Sequence, residues 1–213
     1  MIRVLTRREV MAMECASTNA DRFAGWRAWL KRAAYSGCGR DRWQHPAEVI
    51  AALQIEPGTC IAEIGSGGGY FTFRLAAATG PQGKVYAVDV DPDLVADVAA
   101  RARRRGAGNI VPILADAADP HLPLAAIDLV FTSNAYHHLA DRVAYFRCLR
   151  QCLTSTGRVA IIDSNGAGWF NKLFGHWTPR AAIESDMRAA GYRLVQVHAI
   201  VPRQHFLVFA PEA

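Results

Sequence analysis

Apolar and polar positions change period repeatedly along the chain, and each change marks an element. Short apolar runs at 59–64, 84–89, 110–115, 127–132 and 157–163 predict strands. The Val-Ala-Ile-Ile run inside 157–163 predicts a strand buried on both faces. Helical spacing fills the gaps. Phe71, Leu75 and Ala78 share one face of a helix over 70–79, and a second helix covers 141–153. Between these two, Asp91-Pro92-Asp93 opens a helix with a capping acid, proline at the first position and an acid in the first turn. Gly106 or Gly108 ends it. A last helix runs from Thr178-Pro179 to Ala190, stopped by Gly191. Strands at 192–199 and 204–210 follow without a helix between them and are expected to pair as a hairpin. Strands alternating with helices predict a doubly wound, mostly parallel α/β sheet of seven strands, the last of them antiparallel, with helices on both faces.

Upstream the pattern differs. Residues 1–20 carry no periodicity, and Met11 or Met13 could be alternative starts. From Asp21, the residues Phe23, Trp26, Trp29 and Leu30 recur at helical spacing among Arg22, Arg27, Lys31 and Arg32. Residues 1–39 are thus expected to form an N-terminal helical segment, either a structural appendage or a lid, with 40–213 as the main domain. A loop over 40–45 leads to Pro46, which starts a helix over 46–53. Residues 164–177 form a long loop with Trp169, Phe170, Phe174, His176 and Trp177. Loops of that length and aromatic content bind something or close a site.

Composition narrows the class. The 213 residues are 51% hydrophobic and 20% charged, an ordinary globular balance. No apolar run approaches the ~20 residues that span a bilayer, and the N-terminus lacks a secretory apolar region, so a soluble, cytoplasmic protein is expected. Twenty-four basic against nineteen acidic residues give a net charge of +5, a mild imbalance. The densest run, Arg101-Ala102-Arg103-Arg104-Arg105, closes a helix and is read as solvated cations complementing the helix dipole. Five cysteines without a CxxC motif fit a reducing compartment. Cys148 and Cys152, four apart on the helix over 141–153, share a face, either as small core residues or as a soft-metal thiolate pair.

The chemistry concentrates where the first strand ends. Glu63-Ile64-Gly65-Ser66-Gly67-Gly68-Gly69-Tyr70 is an acid, a glycine turn and a helix start, the entry of a nucleotide-binding α/β unit. The third glycine of a dinucleotide fingerprint would fall on residue 70, which is Tyr, so the spacing argues against an NAD(P) oxidoreductase.

Taken with Asp89 at the end of the second strand, Asp116 after the third and Asn134-Ala135-Tyr136-His137-His138 after the fourth, this turn resembles the motifs of class I S-adenosylmethionine-dependent methyltransferases. The likeness covers residues 40–213 and includes the antiparallel last strand. The segments 40–46 and 136–138 are similar to small-molecule members akin to the ubiquinone/menaquinone and arsenite methyltransferases. The resemblance implies a Rossmann-like fold, S-adenosyl-L-methionine as cofactor and in-line transfer of its methyl group to a small-molecule acceptor, releasing S-adenosylhomocysteine. It also implies cofactor contacts from Glu63, Gly65, Ser66, Gly67, Gly69, Tyr70, Asp89, Val90, Asp116, Ala117 and Asn134. Glycines at 65, 67 and 69 let the backbone approach the ligand. Asp89 can accept from ribose hydroxyls, with Val90 against adenine and Asp116 and Ala117 at its amine. Glu63 and Asn134 fall at the methionine end.

Methyl transfer from an activated donor rests mainly on positioning. A base is needed only if the acceptor must lose a proton, and His137, His138 and Tyr136 are the candidates. Asp163-Ser164-Asn165 departs from the adjacent Asp-Asn ligands of metal-assisted catechol methylation, so no metal is expected. The stretch Ser133-Asn134-Ala135-Tyr136 lacks the prolines of amino-methylating nucleic-acid enzymes, which argues against a nucleic-acid partner. The alternatives are a non-catalytic S-adenosylmethionine-binding module, a nucleic-acid or protein methyltransferase, or an NAD(P) oxidoreductase. A monomer or homodimer and no membrane partner are expected.

Overall fold

The computed structural model describes residues 39–167 and 177–212. The expected N-terminal helix, the alternative starts, Cys38 and most of the aromatic loop, including His176, lie outside the described residues. The chain enters through a short helix α1 (Arg40–Gln44) and a helix α2 (Pro46–Ala52). It continues as β1 (Cys60–Ile64), α3 (Thr72–Thr79), β2 (Lys84–Asp89), α4 (Pro92–Arg105), β3 (Ile110–Leu114) and β4 (Ile127–Ser133). A 3₁₀ turn (Tyr136–His138), α5 (Arg142–Leu149), a second 3₁₀ turn (Arg150–Cys152), β5 (Leu153–Ser164), α6 (Arg180–Ala189), β6 (Tyr192–His198) and β7 (Gln204–Pro211) complete it.

The seven strands lie in the order β3-β2-β1-β4-β5-β7-β6. Strands β1 to β5 are parallel, and β7 runs antiparallel to both β5 and β6, as the helix-free gap between the last two strands predicts. Period-2 alternation divides each strand between two cores. Ile61, Val85, Leu129, Phe131, Ala160 and Ile162 face α2, α3 and α4, whereas Ala62, Ile64, Val130, Val159 and Ile161 face α5 and α6.

Direction of winding reverses between β1 and β4. Carboxyl ends of strands part there, and a crevice opens where an α/β sheet takes its ligand. The α4 start forms as its sequence dictates: Asp91 accepts from the amides of Asp93 and Leu94, and Gly106 ends the helix at a φ of 64°.

Three expectations fail locally. The stretch 40–45 predicted as a loop is helical from Arg40 to Gln44. The helix predicted over 141–153 stops at Leu149, and the strand predicted from 157 begins at Leu153, which pairs with Ile127 ahead of an irregularity in register. A Cβ on Gly157 would come within 2.9 Å of the Ile127 carbonyl oxygen, so glycine permits this close crossing. Cys148 and Cys152 consequently do not share a helix face. Cys148 is exposed, and Cys152 is buried in the 3₁₀ turn.

Candidate functional site

Backbone amides of Gly65 and Ser66 both donate to the Val88 carbonyl, at 2.9 and 3.0 Å, hanging the glycine turn on the end of β2. The Asp89 carboxylate then accepts from the Gly67 amide at 2.7 Å and from the Asp91 amide at 3.0 Å. One acid thereby fixes the turn and the start of α4 together. Gly65 has a φ of 72°, and a Cβ there would lie 2.3 Å from the Ala135 Cβ, so the loop after β4 packs directly on the turn. Arg101 departs from the solvated role read for the basic run. It donates to the Gly68 carbonyl, and its guanidinium and that of the more exposed Arg105 each lie 4.6 Å from the centroid of the Phe73 ring, whereas Arg103 and Arg104 are exposed.

These contacts frame a cavity of about 460 Å³. Glu63, Gly65, Ser66, Gly67, Tyr70, Asp89, Val90, Asp116, Ala117 and Asn134 all line it, brought together from the ends of four strands. Gly69 does not line it. It passes against Phe73 and Val98, where a Cβ would come within 2.9 Å of the Phe73 ring, so its small size serves packing of the turn on α3 and α4.

Glu63 is 3% exposed and accepts from the Thr72 hydroxyl. Burial pushes its carboxyl up to about 8, offset in part by the Thr72 hydrogen bond and the Arg40 charge. Tyr70 lies between two guanidinium groups, with Arg40 at 3.9 Å and Arg74 at 4.3 Å from the ring centroid, and donates to Asp41. Burial, then that hydrogen bond, push its phenol up to about 12. Asp116 is open to solvent and accepts from His121 at 3.0 Å. Asn134 has a φ of 59°, donates its amide to the Ile162 carbonyl at 2.9 Å and accepts from Gln204 Nε2 at 2.6 Å.

The three residues read as candidate bases are placed differently from one another. His138 lines the cavity. His137 stands behind it, its ring 4.1 Å from that of His138, and its Nδ1 lies 2.8 Å from Asp163 Oδ1. Tyr136 is fully buried away from the cavity wall and donates to Asp186 at 2.9 Å. Burial and the Asp186 carboxylate push its phenol far above the ordinary range, so it keeps its proton and packs α6 against the sheet.

Sequence reading missed Arg40, Gln44, Asp163 and Gln204. Asp163 carried a signal, an acid ending a strand with apolar runs on both faces, but its partner is set by folding. It is fully buried on the α5/α6 face after Val159 and Ile161, and its Oδ2 has no hydrogen-bond partner among the described residues.

The residues present fit S-adenosylmethionine. A Cβ on Gly67 would meet no protein atom within 4 Å and would stand in the cavity that this glycine lines. The buried Ser66 hydroxyl on the same wall has no hydrogen-bond partner among the described residues. Asp89 suits a ribose diol, the exposed Val90 a flat base, and Glu63, Arg40 and Asn134 a zwitterionic amino-acid end. The volume lies within the usual range for such ligands.

Comparison with known proteins agrees. Residues 62–159 match the family model described as a methyltransferase domain. Nocamycin O-methyltransferase of Saccharothrix syringae is 31% identical over 113 residues, covering 53% of this chain and 40% of that protein. Aklanonic acid methyltransferase DauC of Streptomyces sp. (strain C5) is 32% identical over 123 residues, covering 57% of this chain and 56% of that one. The chain thus spans about half the length of these relatives. Among solved structures, a SAM dependent methyltransferase from Aquifex aeolicus superposes with a TM-score of 0.78 at 19% identity, covering 84% of this chain and 96% of that one. A glycine turn held by the acid of β2, a cavity at the β1/β4 reversal, the matched domain and the shared fold together make this chain similar to S-adenosylmethionine-dependent methyltransferases.

Proposed function

We propose that this protein methylates a hydroxyl oxygen of a small-molecule acceptor. The observation that carries the reading is the His137–Asp163 pair, 2.8 Å apart and buried, with the His137 ring 4.1 Å from that of the cavity-lining His138. An ionised carboxylate is an acceptor only, so Nδ1 carries the imidazole hydrogen and Nε2 is the basic nitrogen. A carboxylate in that position holds the ring in one tautomer and stabilises the imidazolium formed when Nε2 takes a proton. Such a base serves a hydroxyl, which must lose a proton on methylation. The names of the two relatives above, an O-methyltransferase and a methyltransferase of an organic acid, support an oxygen acceptor.

The wall residues Glu63, Gly65, Ser66, Gly67, Asp89, Val90, Asp116, Ala117 and Asn134 hold the cofactor. When bound there, S-adenosylmethionine supplies an electrophilic methyl group that needs no further activation. The protein's remaining work is to align the acceptor oxygen, keep water out and receive the proton at His137 Nε2. Among the described cysteines, none of Cys60, Cys148 and Cys152 lines the cavity.

The test combines calorimetry and turnover. S-adenosylmethionine and S-adenosylhomocysteine should both bind the wild-type protein. Release of S-adenosylhomocysteine should then appear with phenols, quinols or hydroxy acids and not with thiols, amines or arsenite. Failure of both ligands to bind sinks the cofactor reading, and turnover confined to thiols, amines or arsenite sinks the hydroxyl reading.

A further inference from the structure

A run of buried amides connects α1 to the cavity wall, and each link has only one possible polarity. Gln44, on α1, is fully buried. Its Oε1 accepts from Arg40 Nε, and a guanidinium has no acceptor, so this link fixes the amide's orientation. Both Nε2 hydrogens are then spoken for, by Ser133 Oγ at 2.9 Å and Gln204 Oε1 at 3.0 Å. With its oxygen turned to Gln44, Gln204 can offer only its Nε2 to Asn134 Oδ1, at 2.6 Å. The relay therefore ends with the Asn134 oxygen consumed and its Nδ2 donors left on a residue that lines the cavity. Reversing any one amide would set two donors or two acceptors against each other in a buried site, which costs about 1–3 kcal/mol per unsatisfied group.

We propose that Gln44 and Gln204 are positioning residues that hold Asn134 with Nδ2 toward the cavity, as a donor to a carboxylate or other acceptor oxygen of the bound ligands. This rests on the methyltransferase reading for what enters the cavity. The polarity of the relay belongs to the protein alone. Residues ahead of the first strand thereby set the hydrogen-bond character of the loop after β4, which sequence separation gives no reason to expect.

The experiment has two arms. In the ligand-free protein, NMR should show the side-chain amide hydrogens of Gln44 and Gln204 strongly protected from exchange and those of Asn134 exchanging freely. Gln44→Glu keeps the acceptor for Arg40 but presents an acceptor to Gln204, which should turn its Nε2 to that carboxylate and its Oε1 to Asn134, so that the Asn134 side-chain hydrogens become protected. Protected Asn134 hydrogens in the wild type, or Asn134 hydrogens still exchanging freely in Gln44→Glu, overturn the relay whatever the cavity binds. In the second arm, Asn134→Asp replaces the donor by a carboxylate. Affinity for S-adenosylhomocysteine should fall at least tenfold, and Gln44→Glu should reproduce a smaller loss in the same direction. Methylthioadenosine, which lacks the amino-acid carboxylate, separates the sources. A loss confined to S-adenosylhomocysteine assigns the cofactor carboxylate. Unchanged affinity for both ligands with a raised acceptor KM assigns an acceptor oxygen. Wild-type behaviour of Asn134→Asp in affinity, KM and kcat overturns the donor role, and absence of all binding by the wild type marks failure of the cofactor reading instead.

Discussion

Replacing Glu63 by Gln should stabilise the ligand-free protein above neutral pH and flatten its dependence on pH. The Glu63 carboxyl is 3% exposed, and burial raises it from 4.5 to about 8 despite the Thr72 hydroxyl and the Arg40 charge. Across that window the folded state keeps a proton that the unfolded chain has released. The folded state therefore binds more protons, and stability falls as pH rises from about 4.5 to about 8. Each pH unit corresponds to about 1.4 kcal/mol, so the full window amounts to roughly 5 kcal/mol. Gln is nearly isosteric, carries no charge and still accepts from Thr72. Other groups titrate alike in both proteins and cancel in the difference. Urea unfolding at a series of pH values between about 5 and 8 should show the wild type losing roughly 3 kcal/mol relative to Glu63→Gln. Parallel stability curves would refute a proton held at Glu63 by burial.

Three further outcomes test the site. Asp89→Ala should weaken S-adenosylhomocysteine binding by at least about tenfold in calorimetry, since it removes a charged acceptor worth about 1.5–3 kcal/mol per hydrogen bond and frees the Gly67 amide. Undiminished affinity would remove Asp89 from the site. His137→Ala and Asp163→Asn should each leave S-adenosylhomocysteine affinity within about threefold while turnover falls by roughly 10²–10⁴, and Asp163→Asn at wild-type turnover would dissolve the pair. Gly65→Ala should cost about 2–5 kcal/mol in thermal or urea unfolding, from a φ of +72° and a Cβ 2.3 Å from that of Ala135. Adding Ala135→Gly should recover the steric share, and an additive double mutant would show that the two loops do not touch.

The local chain was sufficient for much of this protein. Period changes located the seven strands within a few residues, and the Asp91-Pro92-Asp93 cap formed as its residue types require. Ten of the eleven residues read for the cofactor meet in one cavity, because strand ends in a doubly wound sheet converge at the reversal of winding. Gly69 is the exception, and its reason is tertiary: it lies against Phe73 and Val98, and only packing of the turn on α3 and α4 shows this. The break of the predicted helix at Leu149 is of the same kind. Leu153 gains more as a strand partner of Ile127 than as another helical turn.

What only the folded chain decides is which polar groups share a dry space. Adjacent His137 and His138 look equivalent as letters, yet one is paired with Asp163 and the other faces the cavity. Tyr136, next to them, is removed from base chemistry by burial against Asp186. Gln44 and Asn134 fall in segments read as motifs and Gln204 in none, but the separations of 160 and 70 residues between these partners offer no pattern to read. Periodicity reports which face of an element is apolar, because solvent exclusion acts on every residue alike. The partner of a buried amide or carboxylate is a property of the sheet order, and it exists only once the strands have closed up.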